Sequence, residues 1–508
     1  MEVVEFKQDL RELIKLAASA ASEGKYVLCV HNLKDALSQA SNTEERSAVY
    51  RCFSDMFSGM DNVVMGRNAL FRGCITNDRG GFYSLAYDKF FPVASEEFSD
   101  ELPVPDGDTI LGYNDVYNFF QTGQFEQGLD ILCELTPDVK CLDEVIGVLY
   151  DAIEKGRTVD LSKHAYKLLI LAGIFSTKSG DFVRVMLQGS QMTHDLMTDG
   201  VQVFCDETED RRVLCDIGEA FVDEGEYECG RMCFERVLEE CEIDECALFY
   251  SAALAYAAGD KEKFEEYWNR YKLVYKPFGA PTELFERMFG EKVPVYGTVP
   301  ATVVNEDAGL LAKGSGDEFE RADALCAVLS FGSDETLRNK KVFAKISDEE
   351  YFAAVKKVLV STYVDEGRKI RLLNEVFERN YDGRMAIAFD DKGVSFDCVP
   401  LGDKTARSIW HRIFVKISTG IICAKGFLPY RASFLSYIVK QVKKSCAEHK
   451  IKPTEEDEHF LGVVIATYYN GHAAKNSNIS MIDGLVPPLS AAELKAGLEK
   501  FPPEVISF

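Results

Sequence analysis

The chain has 508 residues, of which 46% are hydrophobic and 28% are charged, and it carries a formal net charge of −26. This length is too great for one compact core, and the balance of hydrophobic and charged residues excludes a globally disordered chain. The negative charge disfavours, on average, binding to nucleic acid or to anionic membrane surfaces, and it favours cationic partners.

The cysteines and the N-terminus predict a cytoplasmic protein. Fifteen cysteines are present, but residues 1–5 are acidic and lack the basic and apolar regions of a signal peptide. The longest apolar run, residues 168–175, is far shorter than the roughly 18 residues of a membrane-spanning helix. We therefore expect no membrane contact and reduced thiols that pack as small hydrophobic groups.

In chain order, the first helical signals are two degenerate hairpins within residues 1–91. One has apolar and small residues at helical spacing on both sides of a turn at Gly24, and the other is expected to turn near Gly59. An acidic, proline-containing stretch at 92–108 predicts a linker. Another hairpin is predicted around Gly123, and the helical period then continues without a consensus through residues 141–210.

The strongest repeat lies in residues 211–276, where two segments align with an offset of thirty-four residues. The turn glycine recurs from Gly225 to Gly259, and a small residue recurs from Gly218 to Ala252. Glycine can adopt the positive φ that a tight turn needs, and a small residue lets two helices approach closely. The pattern predicts two helix pairs with turns at Gly225 and Gly259.

This arrangement resembles the tetratricopeptide repeat, in which a helix, a glycine-containing turn and a second helix entered by an aromatic residue recur. Tyr227 stands at the aromatic position of the first strong copy. The resemblance covers about residues 1–290 and is strong in two adjacent copies. It implies a mainly α fold, with degenerate repeats in 1–91 and an antiparallel helix-pair array in 109–290. A generic helical bundle is the alternative interpretation.

The character of the sequence changes after residue 290. Residues 290–316 are rich in Gly, Pro, Val and Thr without a sustained period, which predicts a second linker. Residues 317–508 predict a smaller, mostly helical α+β domain of no recognised family, with one β-hairpin at 385–398 that turns at 390–393. Its predicted helical segments are 317–329, 348–363 (capped by Ser347), 370–379, 406–423, 430–449, 455–469 and a short last helix capped by Ser490 and Glu493, followed by an extended tail from Pro502.

The resemblance also implies a binding surface, because exposed residues on the first helix of each tetratricopeptide pair line a groove that holds a peptide. The matching residues are Tyr113, Tyr117 and Phe120 in one copy, Arg212, Glu219, Val222 and Asp223 in the next strong copy, and Phe249 and Tyr256 in the last. Exposed aromatic side chains on rigid helices are typical hot spots, and the carboxylates favour a partner with basic and apolar character. The alternative is that neighbouring helices or the C-terminal domain bury these aromatic side chains.

Charge is unevenly distributed along the chain. Residues 199–245 are strongly acidic, whereas Glu448 is the only acidic residue between positions 404 and 452. The basic residues of this second block are Lys404, Arg407, Arg412, Lys416, Lys425, Arg431, Lys440, Lys443, Lys444, Lys450 and Lys452. Lys440, Lys443 and Lys444 have the spacing of one helix face and are candidate anion-binding residues. Three interpretations stay open: the two blocks attract each other, the basic block is solvated surface, or it binds nucleic acid or another anion.

No complete catalytic motif is present, so we predict no catalytic residue, no metal and no cofactor. Five cysteines are clustered at helical rather than zinc-knuckle spacing and are interpreted as packing thiols: Cys215, Cys229, Cys233, Cys241 and Cys246. Asp390, Asp391 and Asp397 fit turn chemistry. The predicted function is a non-catalytic scaffold for a peptide or protein partner. The alternative is a regulatory protein whose segment 404–452 binds nucleic acid or another anion.

Overall fold

The computed structural model describes most of the chain and is dominated by helices. The described residues are 9–75, 107–135, 137–157, 159, 161–164, 167–168, 171, 183, 187, 194–379, 381, 383–390, 394–401, 409–410, 412–414, 417, 432–475 and 488–506. The predicted mainly α fold is confirmed. No helix in these residues is both long and apolar enough to span a membrane.

The first four helices form two hairpins. They are α1 (Leu10–Ser22), α2 (Tyr26–Gln39), α3 (Thr43–Gly59) and α4 (Val63–Ile75). α1 and α2 pack through small and apolar side chains at helical spacing, among them Leu13, Ala17 and Cys29. Both predicted turns are present, but the left-handed residue of the second is Asp61, with φ of 59°, rather than Gly59.

The next helices begin at the end of the predicted linker. Residues 92–106 lie outside the described residues, and α5 (Gly107–Thr122) includes the last two linker positions. α5 and α6 (Phe125–Leu132) form the hairpin predicted around Gly123. α7 (Val139–Glu154) and α8 (His194–Glu207) follow in the region where the repeat consensus is lost.

The two helix pairs predicted in residues 211–276 are confirmed. They are α9 (Arg211–Asp223) with α10 (Tyr227–Glu240), and α11 (Glu245–Ala257) with α12 (Lys261–Tyr275). Gly225 and Gly259 occupy the two turns with φ of 86° and 75°, a region that glycine enters without a steric penalty.

α9 and α10 approach each other closely at two glycines. A Cβ at Gly218 would lie 2.8 Å from Cζ of Phe234 and 3.2 Å from Cβ of Cys233. A Cβ at Gly230, on the other helix, would lie 2.8 Å from Cγ2 of Val222. The small residues therefore set the distance between the paired helices, as the repeat pattern predicts.

The N-terminal hairpins pack directly against the last helix pair. Phe278, in the turn after α12, meets Phe53 and Phe57 edge-on, with ring centroids 5.3 and 5.1 Å apart. The Val27 N–H donates a hydrogen bond to the Glu242 carboxylate at 2.8 Å. One buried hydrophobic cluster consequently includes both the first helices and the last pair, so the chain returns on itself in this part.

The prediction of a linker at 290–316 is wrong in part. Residues 301–313 form α14 (Ala301–Lys313), which ends at Gly314 in the left-handed conformation with φ of 63°. Val304 and Leu311, seven residues apart on one face, are buried. This helix was not predicted because its periodic pattern is short and follows a stretch rich in Gly, Pro and Val.

α14 belongs to a second buried cluster, which also includes the predicted hairpin. The other elements are α15 (Glu318–Phe331), α16 (Asp334–Arg338), α17 (Lys340–Phe343), α18 (Asp348–Leu359), α19 (Glu366–Glu378) and β1 (Gly383–Asp390). β1 pairs antiparallel with β2 (Val394–Leu401), with Met385 opposite Val399 and Asp390 opposite Val394. The hairpin is thus confirmed and extends beyond 385–398, while the turn residues 391–393 lie outside the described residues.

The last described elements form a third buried cluster. They are α20 (Ala432–Glu448), α21 (Glu458–Lys475) and α23 (Pro503–Ile506), together with described residues between 409 and 417. α22 (Ala491–Lys500) packs on α21 where Gly497 lies beside Phe460. The capping box predicted at Ser490 and Glu493 is present. The extended tail predicted from Pro502 is wrong, because residues 503–506 are helical.

The buried clusters divide the chain differently from the predicted domain ranges. The first cluster includes residues from both predicted array segments, 1–91 and 109–290. Residues 317–508 contribute to two separate clusters. The three predicted ranges stay a prediction of domain limits.

Candidate partner-binding site

α9 carries a row of carboxylates on its outer side. Asp216, Glu219 and Asp223 are spaced by three and four residues, so they project from one face of the helix. Asp216 and Asp223 are exposed and Glu219 is half-buried, whereas Leu214 and Phe221 face the core. These three carboxylates are termed the α9 acidic face. Asp216 was absent from the sequence prediction.

Burial and mutual repulsion raise the pKa of two of these carboxylates. For Glu219, burial is the main cause, and the charges of Asp216 and Asp223 add to the rise in pKa. Asp216 is exposed as a residue, yet partial desolvation of its carboxylate raises the pKa, and the charge of Asp210 raises it further. The Cys246 thiol on α11 donates to Oε1 of Glu219 at 3.3 Å and opposes the rise there. A cation placed at this face would therefore be stabilised, because it favours the ionised carboxylates.

An exposed aromatic side chain lies at the end of the adjacent helix. Tyr256 on α11 is 46% exposed, and its ring is backed by Phe264 and Phe289 at centroid distances of 5.2 and 6.0 Å. α9 and α11 are in contact, and the hydrogen bond from Cys246 to Glu219 joins them. The two helices therefore present negative charge and an apolar ring on neighbouring elements.

Three of the predicted groove residues on the first helices are instead core residues. Tyr113, Phe120 and Val222 are only 4%, 1% and 5% exposed. The Tyr113 hydroxyl accepts the Asp138 N–H at 3.2 Å, and the Phe120 ring covers Gly128, where a Cβ would lie 2.5 Å from it. The expectation that these side chains face a ligand is wrong, because neighbouring residues of the same chain enclose them.

Phe249 is also buried, by the segment that follows the last helix pair. This segment contains α13 (Thr282–Glu286) and continues to Tyr296. The rings of Phe285, Phe289 and Tyr296 lie 5.4, 5.5 and 5.0 Å from the Phe249 ring. Aromatic side chains from this later segment of the chain therefore occupy the position where the groove was predicted.

The remaining predicted groove residues lie at the surface. Arg212 is exposed at the N-terminal end of α9, four residues before Asp216. Tyr117 is exposed on α5, which also exposes Ile110 and Leu111. Tyr117 thus belongs to an apolar patch on another helix and stays a predicted contact residue.

The predicted anion-binding lysines have different surroundings in the structure. Lys440, Lys443 and Lys444 are all exposed on α20, but Lys444 lies 3.8 Å from the Glu448 carboxylate, whereas Lys443 lines a groove. Within the residues that the structure describes, the ion pairs of the basic block are formed with Glu448, Glu455 and Glu458 and not with residues 199–245. Five basic residues lie outside the described residues: Lys404, Arg407, Lys416, Lys425 and Arg431.

A half-buried glutamate joins the helix pairs to the second cluster. Glu245, the first residue of α11, accepts a hydrogen bond from the hydroxyl of Tyr363, which precedes α19. Burial raises the pKa of Glu245 to about 7, although the hydroxyls of Tyr363 and Tyr296 oppose the rise. Arg287 adds a second link through two hydrogen bonds to Asp307 on α14, at 2.8 and 2.7 Å.

The clustered cysteines pack in the core, as their spacing indicates. All the described cysteines are free thiols. Burial raises the pKa of Cys229 and Cys241 to about 11, which keeps these thiols protonated and poorly nucleophilic. In the described part of the chain, no group of three or more His, Cys, Asp or Glu side chains is arranged to hold a metal ion.

The chain matches no protein-family model, and no curated protein shows significant similarity to it.

Proposed function

We propose that residues 1–290 form a degenerate tetratricopeptide-like scaffold that binds a protein or peptide partner, without catalysis, at the α9 acidic face and Tyr256. The observation that carries this proposal is a row of carboxylates on α9 together with an exposed, backed aromatic ring on α11, the helix that contacts α9. The partner is a segment with basic and apolar side chains.

The two parts of the site have different energetic roles. Tyr256 is already held on one side by Phe264 and Phe289, so it loses little conformational entropy when an apolar side chain covers it, and it supplies affinity. The α9 acidic face attracts cationic segments and repels acidic ones, which acts mainly on the association rate and on specificity.

The thiols favour a reducing compartment. All the described cysteines are free, which is typical of proteins kept in the cytosol. We therefore propose that the scaffold works in the cytoplasm.

Selection of peptides from a random displayed library by the full-length chain tests the proposal. We expect enrichment of peptides in which Lys or Arg stands close to Leu, Phe or Tyr. The double variant Glu219→Gln, Asp223→Asn should lose this enrichment, because it removes two charges from the α9 acidic face.

A matched control removes the same charge elsewhere. Glu262 and Glu265 are exposed on α12, and the double variant Glu262→Gln, Glu265→Gln should select the same peptides as the wild-type chain. The proposal is wrong if the selected peptides are acidic or random in composition, or if both double variants behave alike.

A further inference from the structure

A groove opens beside the C-terminal end of α20. It is lined by Trp410, by the last turns of α20 and by residues 450–455 that lead to α21. Lys450 has a left-handed backbone with φ of 56°, and the Ile451 N–H donates back to the Cys446 carbonyl at 2.8 Å. This helix-ending turn reverses the chain and lays residues 451–454 along the groove.

Lysine side chains give the groove a positive charge. Lys443, Lys450 and Lys452 line it and are exposed. Within the described part of the chain, none of the three has a carboxylate at ion-pair distance. The acidic residue in the lining, Glu455, forms an ion pair with Arg412 at 3.1 Å, and Arg412 also pairs with Glu458. Three positive charges thus converge in a chain whose net charge is −26.

The floor of the groove is apolar. It is formed by Ile409, Trp410, Cys446, Ile451 and Pro453. The volume of about 830 Å³ falls in the range of small-molecule sites, which are mostly apolar with a few convergent polar groups. Such a groove fits a ligand with a flat apolar ring at one end and more than one negative charge at the other.

We propose that this groove binds a phosphate ester of a flat ring system, the chemical class of the nucleoside phosphates. The ring lies on the apolar floor and contacts the part of the Trp410 indole that lines the groove. Trp410 is 9% exposed, and the rest of its indole packs in the third buried cluster. The phosphate lies among Lys443, Lys450 and Lys452, because lysine ammonium groups bind phosphate as point charges. This site is distinct from the α9 acidic face, which takes a ligand of opposite charge.

Tryptophan fluorescence can report ligand binding at this site. The chain has two tryptophans: Trp410 lines the groove, whereas Trp268 lies in the first buried cluster, with its indole N–H bonded to Glu286 at 2.8 Å. A change in tryptophan emission on ligand addition therefore reports Trp410. We expect each of the four common nucleoside monophosphates, titrated into the full-length chain at low salt, to quench the emission saturably. Inorganic phosphate should reverse the quenching, and the Trp410→Phe variant should lose it.

Single-charge variants locate the phosphate. Lys443→Gln and Lys452→Gln should each weaken binding about tenfold, the loss expected for one hydrogen bond to a charged group. Lys444→Gln is the matched control: it removes the same charge from the next position of α20, where the side chain lies near Glu448. Its affinity should equal that of the wild-type chain.

Several results would overturn the proposal. One is unchanged Trp410 emission at millimolar concentrations of all four nucleotides while circular dichroism shows a folded chain. Another is equal weakening by Lys443→Gln and Lys444→Gln, which would indicate diffuse attraction along α20. Binding of a long oligonucleotide without binding of any mononucleotide would assign the basic surface to nucleic acid instead.

Discussion

Replacing Gly218 tests whether α9 and α10 pack as closely as the structure shows. A Cβ at this position would lie 2.8 and 2.9 Å from two atoms of the Phe234 ring, which is fully buried and stacked on Tyr250 at 4.8 Å. Overpacking costs about 1–3 kcal/mol, and the gain in helix propensity offsets about 0.5–1 kcal/mol. We therefore expect a loss of about 1 kcal/mol for Gly218→Ala, and a loss near the upper end, about 3 kcal/mol, for Gly218→Leu.

Urea denaturation followed by Trp268 emission in a Trp410→Phe background measures this loss, because Trp268 lies on α12 within the same buried cluster. The midpoint should fall without a change in the slope of the free energy of unfolding against urea. Gly309→Ala in α14 is the control, since a Cβ there meets nothing within 4 Å and should leave stability unchanged or raise it by up to about 1 kcal/mol. An unchanged midpoint for Gly218→Leu would refute the close packing of α9 on α10.

Three further predictions concern titration and burial. The pKa of Glu245 is about 7 in the folded chain, compared with an ordinary value of 4.5. Protonated Glu245 therefore stabilises the folded state fully below about pH 4.5, and this contribution is lost as the pH rises through 7. The contribution is at most about 3 kcal/mol. Glu245→Gln should remove this dependence in urea denaturation at pH 5 and pH 8, and an unaltered pH dependence would contradict it. Tyr256→Ala should weaken partner binding by about 1–2 kcal/mol, and it should lower the free energy of unfolding by only about 1 kcal/mol through the lost contacts with Phe264 and Phe289. Phe249→Ala should lower the free energy of unfolding by about 3–5 kcal/mol, and similar stabilities of the two variants would count against these placements. Affinity for a cationic peptide, measured by calorimetry, should rise with pH while Asp216 and Glu219 deprotonate, and a flat profile would exclude them from the site.

The helix pairs could be predicted from the sequence because their signals are local. The glycines at 225 and 259 end the first helix of each pair, and Gly218 marks the close contact within one pair. The β-hairpin and the Ser347 cap were predicted for the same reason, since residues only a few positions apart determine them.

Burial could not be predicted in the same way, because it depends on segments distant in sequence. Phe249 has the position of a groove residue, but Phe285 and Tyr296 from an aperiodic segment cover it. The hydrogen bond from Tyr363 to Glu245 joins residues 118 positions apart, so no local sequence pattern can predict it.

The candidate sites were predicted only in part. Glu219 and Asp223 were predicted, and Asp216 could have been added from its spacing of three residues before Glu219. Lys443 was predicted as a candidate anion-binding residue, but its position in a groove depends on the reversal of the chain at Lys450. Charged residues can thus be read from the sequence, whereas the groove that brings them together depends on the fold and cannot.

A double-mutant cycle between Glu219 and a lysine of a peptide selected by the chain tests the central claim most directly. Calorimetry gives the four affinities for wild-type and Glu219→Gln chains with the lysine peptide and with its glutamine analogue. Since Glu219 lies on the α9 acidic face, we predict a coupling free energy of about 1 kcal/mol that shrinks at high salt. A coupling of zero, with the lysine still required for binding, would show that the cationic partner binds elsewhere and would contradict the account.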